Sequence, residues 1–293
     1  MASDAALAAF ESARPRLFGI AYRMMGTVAE AEDLVQEAWL RWQGADHGAV
    51  REPAAFLATT VTRLALTELD SARARRERYV GVWLPEPVDT AADPALGAER
   101  AEALSFAVLL LLERLSPAER AAYVLHEAFD YPYRRIAEVL EMSEANARQL
   151  ASRARAHLAR AGTASVTTEQ RERLLAAFVA AAEAGDLERL EGVLAEDVVA
   201  LSDGGGIVSA ARRPVVGREK VAPFLLGVIT KFAADAVHVP HPYNGGVAFV
   251  SLRDGVPFAV WAVDIGADGI RCFYTQLNPQ KLSRIGVSSG QSR

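Results

Sequence analysis

The side chains with the clearest chemical potential sit in an arginine-rich stretch, YRRIAEVLEMSEANARQLASRARAHL at 133–158. Asn146, Arg148, Gln149, Ser152 and Arg153 fall on the outward side of its second half. An amide offers a donor beside an acceptor and matches an adenine edge, and a guanidinium fork matches the two acceptors of guanine. Arg155 and Arg160 extend the group with cations suited to phosphates. A second cationic group, Arg63, Arg73, Arg75 and Arg76, lies upstream in FLATTVTRLALTELDSARARRERYVG. The last third of the chain carries acid–base candidates instead: Asp203, His238, His241, Tyr243, Asp264 and Tyr274. Two such groups brought together could move a proton next to a carbonyl. Single His and Asp residues on strands are more often structural, so no enzymatic activity is expected. HVPHPYNGG reads as a strand end entering a turn, which puts His241 outside any pocket. A pocket for a small effector is the more plausible reading. No Cys/His cluster has metal-ligand spacing, and neither metal nor cofactor is expected.

These groups need helices to position them. Ile136, Ala137, Val139 and Leu140 mark a short helix, EMS is a tight turn without glycine, and Ser143 can cap the next helix. Ala147, Leu150, Ala151, Ala154 and Leu158 face inward on that second helix, a helix-turn-helix layout. Upstream, VAEAEDLVQEAWLRWQ places Val28, Ala31, Leu34, Val35, Ala38, Trp39 and Trp42 on one stripe and leaves Asp33, Gln36, Glu37 and Arg41 outside it. A turn-rich break, QGADHGAVREP, separates it from a helix over 53–77 with Phe56, Leu57, Val61, Leu64 and Leu69 inward. SPAER at 116–120 is a helix start: Ser116 as N-cap, Pro117 at the first position, Glu119 closing a capping box. TTEQ at 167–170 opens another helix, to about Ala184. A short helix follows in GDLERLEGVLAED, and strands dominate from Val198. Asp-Gly between β-rich runs predicts hairpins, and the strands read as an antiparallel meander. DGGG at 203–206 reads as a hairpin needing positive φ.

Between the helical segments lies YVGVWLPEPVDTAADPALG, with three prolines. Pro85 and Pro87 remove backbone donors and stiffen the chain, while Trp83 and Leu84 prefer burial. A plain spacer would be polar and flexible. The expectation is that Trp83 and Leu84 dock on the C-terminal domain, near DGGG or NPQKL.

The chain has 293 residues, 51% hydrophobic and 24% charged, with a net charge of −5. That is ordinary globular composition for two or three domains. Acidity overall argues weakly against nucleic acid, but local basic faces can still bind a polyanion. The longest apolar run, near Ala107–Leu112, is too short to cross a bilayer. MASDAALAAF lacks a basic n-region, and the lone Cys272 fits a reducing compartment, so a cytoplasmic protein is expected.

Taken together, these stretches resemble a known family. AEDLVQEAWLRW looks like the helix by which sigma domain two grips the clamp coiled coil of bacterial RNA polymerase. FLATTVTRLALTELDSARARRERYVG is similar to the next helix, which faces the −10 element, and LSPAERAAYVLHEAFDYPYRRIAEVLEMSEANARQLASRARAHL resembles domain four, which reads the −35 element. Their order resembles the extracytoplasmic-function (ECF) sigma factors. YVGVWLPEPV, DGGGIVSAARRPVVG and NPQKL resemble the subgroup with a C-terminal SnoaL-like domain, an NTF2-type α+β cone.

The resemblance implies domain two at 1–78, a linker at 79–98, domain four at 99–162, a SnoaL-like regulatory domain at 165–283 and a tail at 284–293. It implies a sigma factor that directs promoter-specific initiation, monomeric when free, with core polymerase (clamp and flap) and promoter DNA as partners. Asp33, Gln36, Glu37 and Arg41 become polymerase contacts, and Arg63, Arg73, Arg75 and Arg76 become −10 contacts, with GADHGAVREP as the base-capturing loop. Asn146, Arg148, Gln149, Ser152 and Arg153 become −35 contacts. Trp83, Leu84, Pro85, Pro87, Asp203, Gly204, Gly205, Gly206, Asn278, Pro279, Lys281 and Leu282 become regulatory interdomain residues. Two departures stand out. Glu68 and Asp70 replace arginines on the −10 face, and Gln280 replaces an acid. The competing reading is a DNA-binding regulator fused to a SnoaL-like enzyme or small-molecule sensor.

Overall fold

The computed structural model describes residues 2–90, 104–159 and 166–286. Residues 91–98 of the expected linker, the start of the second helical segment at 99–103, Arg160, the junction through 165 and the tail from 287 lie outside the described residues. The chain forms two units.

The first unit joins residues 1–78, 90–161 and 244–246. Its first module is three helices: α1 (Ala2–Met25), α2 (Val28–Gln43) and α3 (Pro53–Glu77). Thr27 caps α2 through the Glu30 amide, and Pro53 starts α3 where a missing N–H costs nothing. The α2 stripe is buried at Ala31, Leu34, Val35, Ala38 and Trp42, as are Leu17, Ala21 and Met24 of α1 and Leu57, Val61 and Leu69 of α3. Trp42 Nε1 donates to Ala6 O at 2.9 Å, which settles the one polar atom of that buried ring. The second module is α4 (Phe106–Leu112), α5 (Pro117–Tyr123) with a π turn after it, α6 (Tyr133–Leu140) and α7 (Glu144–Ala159). The SPAER capping box forms in both directions between Ser116 and Glu119. Asn244, in left-handed conformation and buried, belongs to this unit and donates to Tyr22 Oη (2.7 Å) and Leu104 O (3.1 Å).

The second unit joins residues 79–89, 162–243 and 247–293. α8 (Thr168–Ala184) opens on the Thr167–Gln170 capping box and closes on Gly185 at φ +64°. α9 (Leu187–Val193) follows, then β1 (Leu194–Asp203), β2 (Val215–Val216), α10 (Arg218–Val228), β3 (Val237–Tyr243), β4 (Gly246–Arg253), β5 (Val256–Gly266), β6 (Gly269–Gln276) and α11 (Pro279–Leu282). The strands form one sheet in the order β2-β1-β6-β5-β4-β3.

Three expectations need correction. The sheet is mixed, because β1 runs parallel to β6. β3 to β6 do form the meander, but β1 and β2 precede it, and a long crossover that carries α10 takes the chain from β2 to β3 at the opposite edge of the sheet. β1 begins at Leu194, four residues early, because the acidic pair Glu196 and Asp197 hides an otherwise apolar strand. DGGG is no hairpin: it opens a loop of eleven residues, 204–214, that ends at β2. One face of the sheet packs on the helices through Phe178, Leu190, Val198, Ala200, Val221, Leu225 and Phe273. A smaller apolar cluster, Tyr243, Ala248, Val250, Val260 and Leu282, forms apart from it.

Candidate functional site

The base-reading candidates sit where a reader should. Ala147, Ala151, Ala154 and Leu158 are buried on one side of α7, and Asn146, Arg148, Gln149, Ser152 and Arg153 are all exposed on the other. The turn before α7 works without glycine because Glu141 itself takes the left-handed conformation, φ +54°. The Met142 amide closes that turn onto Ala137 O (3.0 Å), a Schellman end, and Ser143 caps α7 through the Asn146 amide. Arg148 pairs with Glu144 (3.0 Å) and lies over the Tyr133 ring. Arg153 is exposed and makes no ion pair among the described residues.

On α2, Asp33, Gln36 and Arg41 are exposed and Glu37 is half-buried, with Glu37 and Arg41 paired at 3.1 Å. The α3 cations are treated unequally. Arg73 is exposed, 3.7 Å from Glu77. Arg75 is held between Glu30 (2.6 Å) and Glu68 (2.8 Å), so the unexpected acid at 68 serves a neighbouring arginine. Arg76 is mostly buried, bonded to Glu113 and to Met25 O. Arg63 reaches the second module. The loop between α2 and α3 is stitched by His47 Nε2 on Trp42 O (2.8 Å) and by the Gly48 amide on Asp46 (3.0 Å).

The WLPEP segment is buried in the second unit: Leu84, Pro85, Glu86, Pro87 and Val88 are covered, and Trp83 is half-buried. Asp203 and Gln276 end β1 and β6 side by side, because those strands are parallel and in register there. Asp203 is fully buried and accepts from Tyr79 Oη (2.7 Å), the Leu84 amide (2.9 Å), the Gly205 amide (3.0 Å), Gln276 Nε2 (3.3 Å) and Lys281 Nζ (2.8 Å). That uses the carboxylate's full acceptor capacity. Lys281 also donates to Leu84 O (2.6 Å), and its ammonium lies over the Trp83 ring (4.5 Å) and the Tyr79 ring (5.0 Å). Asn278 caps α11 and donates from Nδ2 to Tyr79 Oη (2.8 Å). Gln276 Nε2 is placed to reach the Leu84 and Pro85 carbonyls as well. Burial, with the bond to Asp203 next, pushes the Tyr79 phenol far up, so it stays a donor.

The glycines are steric requirements of this clamp. A Cβ on Gly205, at φ +63°, would lie 2.4 Å from Asn278 Nδ2, and one on Gly204 would lie 2.5 Å from Val208 O. Pro279 sits at the first position of α11, and Leu282 joins the smaller apolar cluster. Gln280 is exposed, and its backbone amide meets Asn278 Oδ1.

Residues 9–75 match the Sigma-70 region 2 model, and residues 105–158 match the Sigma-70, region 4 model. The chain is 45% identical, over 89% of its length and 83% of the relative's, to the ECF RNA polymerase sigma factor SigJ of Mycobacterium tuberculosis (strain H37Rv). The chain belongs to the ECF RNA polymerase sigma factors. The probable ECF sigma factor SigI of M. tuberculosis (strain CDC 1551) is 33% identical over 98% of both chains. The crystal structure of M. tuberculosis SigJ superposes on 94% of this chain and 98% of its own, with a TM-score of 0.76 and 36% identity.

In this sigma factor the six acid–base candidates divide between the two faces of the sheet. Cross-strand register puts Asp203, Asp264 and Tyr274 on the same face of the sheet as Gln276. His238 faces the other side, with Nδ1 2.8 Å from Ser251 Oγ and its ring edge-on to Trp261; burial lowers its pKa. His241 pairs with Asp89 (2.8 Å) at the far end of the linker, and Tyr243 bridges the same Asp89. Burial, with Asp89 next, pushes the Tyr243 phenol up to about 12. Sequence reasoning missed Tyr79 and Gln276 as clamp members. Tyr79 lay in plain view at the head of YVGVWLPEPV, but nothing local says that its hydroxyl meets residue 203.

Proposed function

We propose that this sigma factor divides its work among four surfaces. Asp33, Gln36, Glu37 and Arg41 of α2 contact core RNA polymerase. Arg63, Arg73, Arg75 and Arg76 of α3, with the loop at 44–53, engage the −10 element. Asn146, Arg148, Gln149, Ser152 and Arg153 of α7 read the −35 element. The C-terminal unit acts in cis by holding the linker, through Asp203, Gly204, Gly205, Gly206, Asn278, Pro279, Lys281 and Leu282, onto Trp83, Leu84, Pro85 and Pro87. It has no catalytic role in this reading, and the free chain is a monomer. The observation that carries the −35 assignment is the two-sided α7: Ala147, Ala151, Ala154 and Leu158 buried with Leu150 half-buried on one side, and amides and guanidiniums exposed on the other. A solvated helix needs charge there but not a run of base-edge donors.

The test is transcription in vitro with core polymerase freed of other sigma factors. The chain should confer initiation by itself, as no repressor or activator can. Arg153→Ala should then weaken promoter binding by about 1–3 kcal/mol while core binding survives. An unchanged footprint over the −35 element overturns that assignment.

A further inference from the structure

Two −10 candidates bind across the helical unit: Arg76 through Glu113, and Arg63, which is the more exposed of the two. Its Nε donates to Val139 O (3.0 Å) and its Nη2 to Glu138 O (3.1 Å), the carbonyls that end α6. Nη2 also meets the Glu141 carboxylate at 3.0 Å. A helix C-terminus carries partial negative charge, and the carboxylate adds a full one. The guanidinium thus sees planar, anionic acceptors much as it would see a phosphate.

Two further observations bear on this contact. Glu141 occupies a left-handed position where glycine costs nothing and another residue costs about 1 kcal/mol. The turn tolerates that cost for the residue whose side chain reaches Arg63. Beneath the contact runs a groove of about 1250 Å³. Arg41 and Arg51 of the first module line it, and so do Arg134 and Arg135 of the second. Glu138 offsets the last two, at 3.6 and 2.6 Å. Glu52 and Asp130 line the groove too, and Arg41 pairs with Glu37, so what remains is a modest excess of positive charge that a polyanion would neutralise.

We propose that Arg63 is a latch. In the free chain it is held by a phosphate mimic built from the end of α6 and Glu141, so that nucleic-acid phosphate and the latch compete for one guanidinium. This rests on the reading of Arg63 as a −10 contact. The latch is one of several contacts between the two helical modules, beside Arg76 with Glu113, Arg120 with Met24 O and Arg16 with Phe129 O, and it is the one that DNA displaces.

Two variants of exposed Glu141 test this in the full chain. Glu141→Gly removes the carboxylate and suits the left-handed turn, and Glu141→Lys adds repulsion. The probe is a short random-sequence single-stranded oligonucleotide, which has phosphates but no −35 duplex. Both variants should tighten oligonucleotide binding by about two- to fivefold, the scale of an exposed ion pair. If binding is unchanged, there is no competition and the proposal falls. Adding Arg63→Ala to Glu141→Gly separates the two readings. Loss of the gained affinity supports both. Retention of it shows that Arg63 does not meet phosphate, and then the −10 assignment of that residue fails.

Discussion

At the scale of single residues, burial decides which ionisable groups are chemical and which are structural. Asp264 and Cys272 are cross-strand partners on β5 and β6. Burial pushes the thiol up to about 12, so it stays protonated and unreactive. Burial also raises Asp264, against the opposing pull of Arg271 and Arg171. A carboxyl raised on folding contributes stability below the ordinary carboxylate range and loses it as pH rises through the raised value. Asp264→Asn is therefore expected to raise the thermal midpoint by about 2 °C at pH 7 and to give no gain near pH 4. Thermal unfolding at the two pH values checks the sign.

At the scale of elements, local rules and long-range rules part company. Capping boxes at Ser116 and Thr167 were legible because their partners lie three residues away. The clamp joins residues more than a hundred positions apart. Its centre is an ion pair in which Lys281 and Asp203 are both buried. Such a pair adds little against an apolar replacement, but removing one partner leaves a buried charge. Lys281→Ala is expected to destabilise the second unit by about 3–5 kcal/mol and to speed proteolysis within 79–89. Denaturant unfolding and limited proteolysis measure both. An unchanged cutting rate would mean that Asp203 and Gln276 suffice to hold the linker.

At the scale of the whole molecule, the chain's path matters more than any one bond. Residues 79–89, which follow the first helical module, group with the C-terminal unit, so the path from one module to the next runs through residues anchored elsewhere. A linker held in one conformation changes the effective concentration of one DNA reader near the other. Deleting residues from about 165 onward frees Tyr79–Asp89 and uncovers Leu84. Promoter-driven transcription at equal protein level is then expected to change by roughly fivefold or more, the usual range of a coupling between sites. Identical output would make the domain a passenger. Among the described residues, no helix is long and apolar enough to cross a membrane.

The sequence by itself determined the helices, their caps, the two-sided α7 and the family, because each depends on residue types at short, fixed spacing. It also pointed to Trp83 and Leu84 as residues seeking burial. Only the tertiary structure decided that β1 runs parallel to β6, that Asp203 gathers five donors, and that Arg76 is mostly buried on Met25 O and Glu113 while Arg63 is held at the turn before α7. The physical reason is one of range. A cation's partner is the nearest acceptor in space, and for Arg63 that acceptor is more than seventy residues away along the chain.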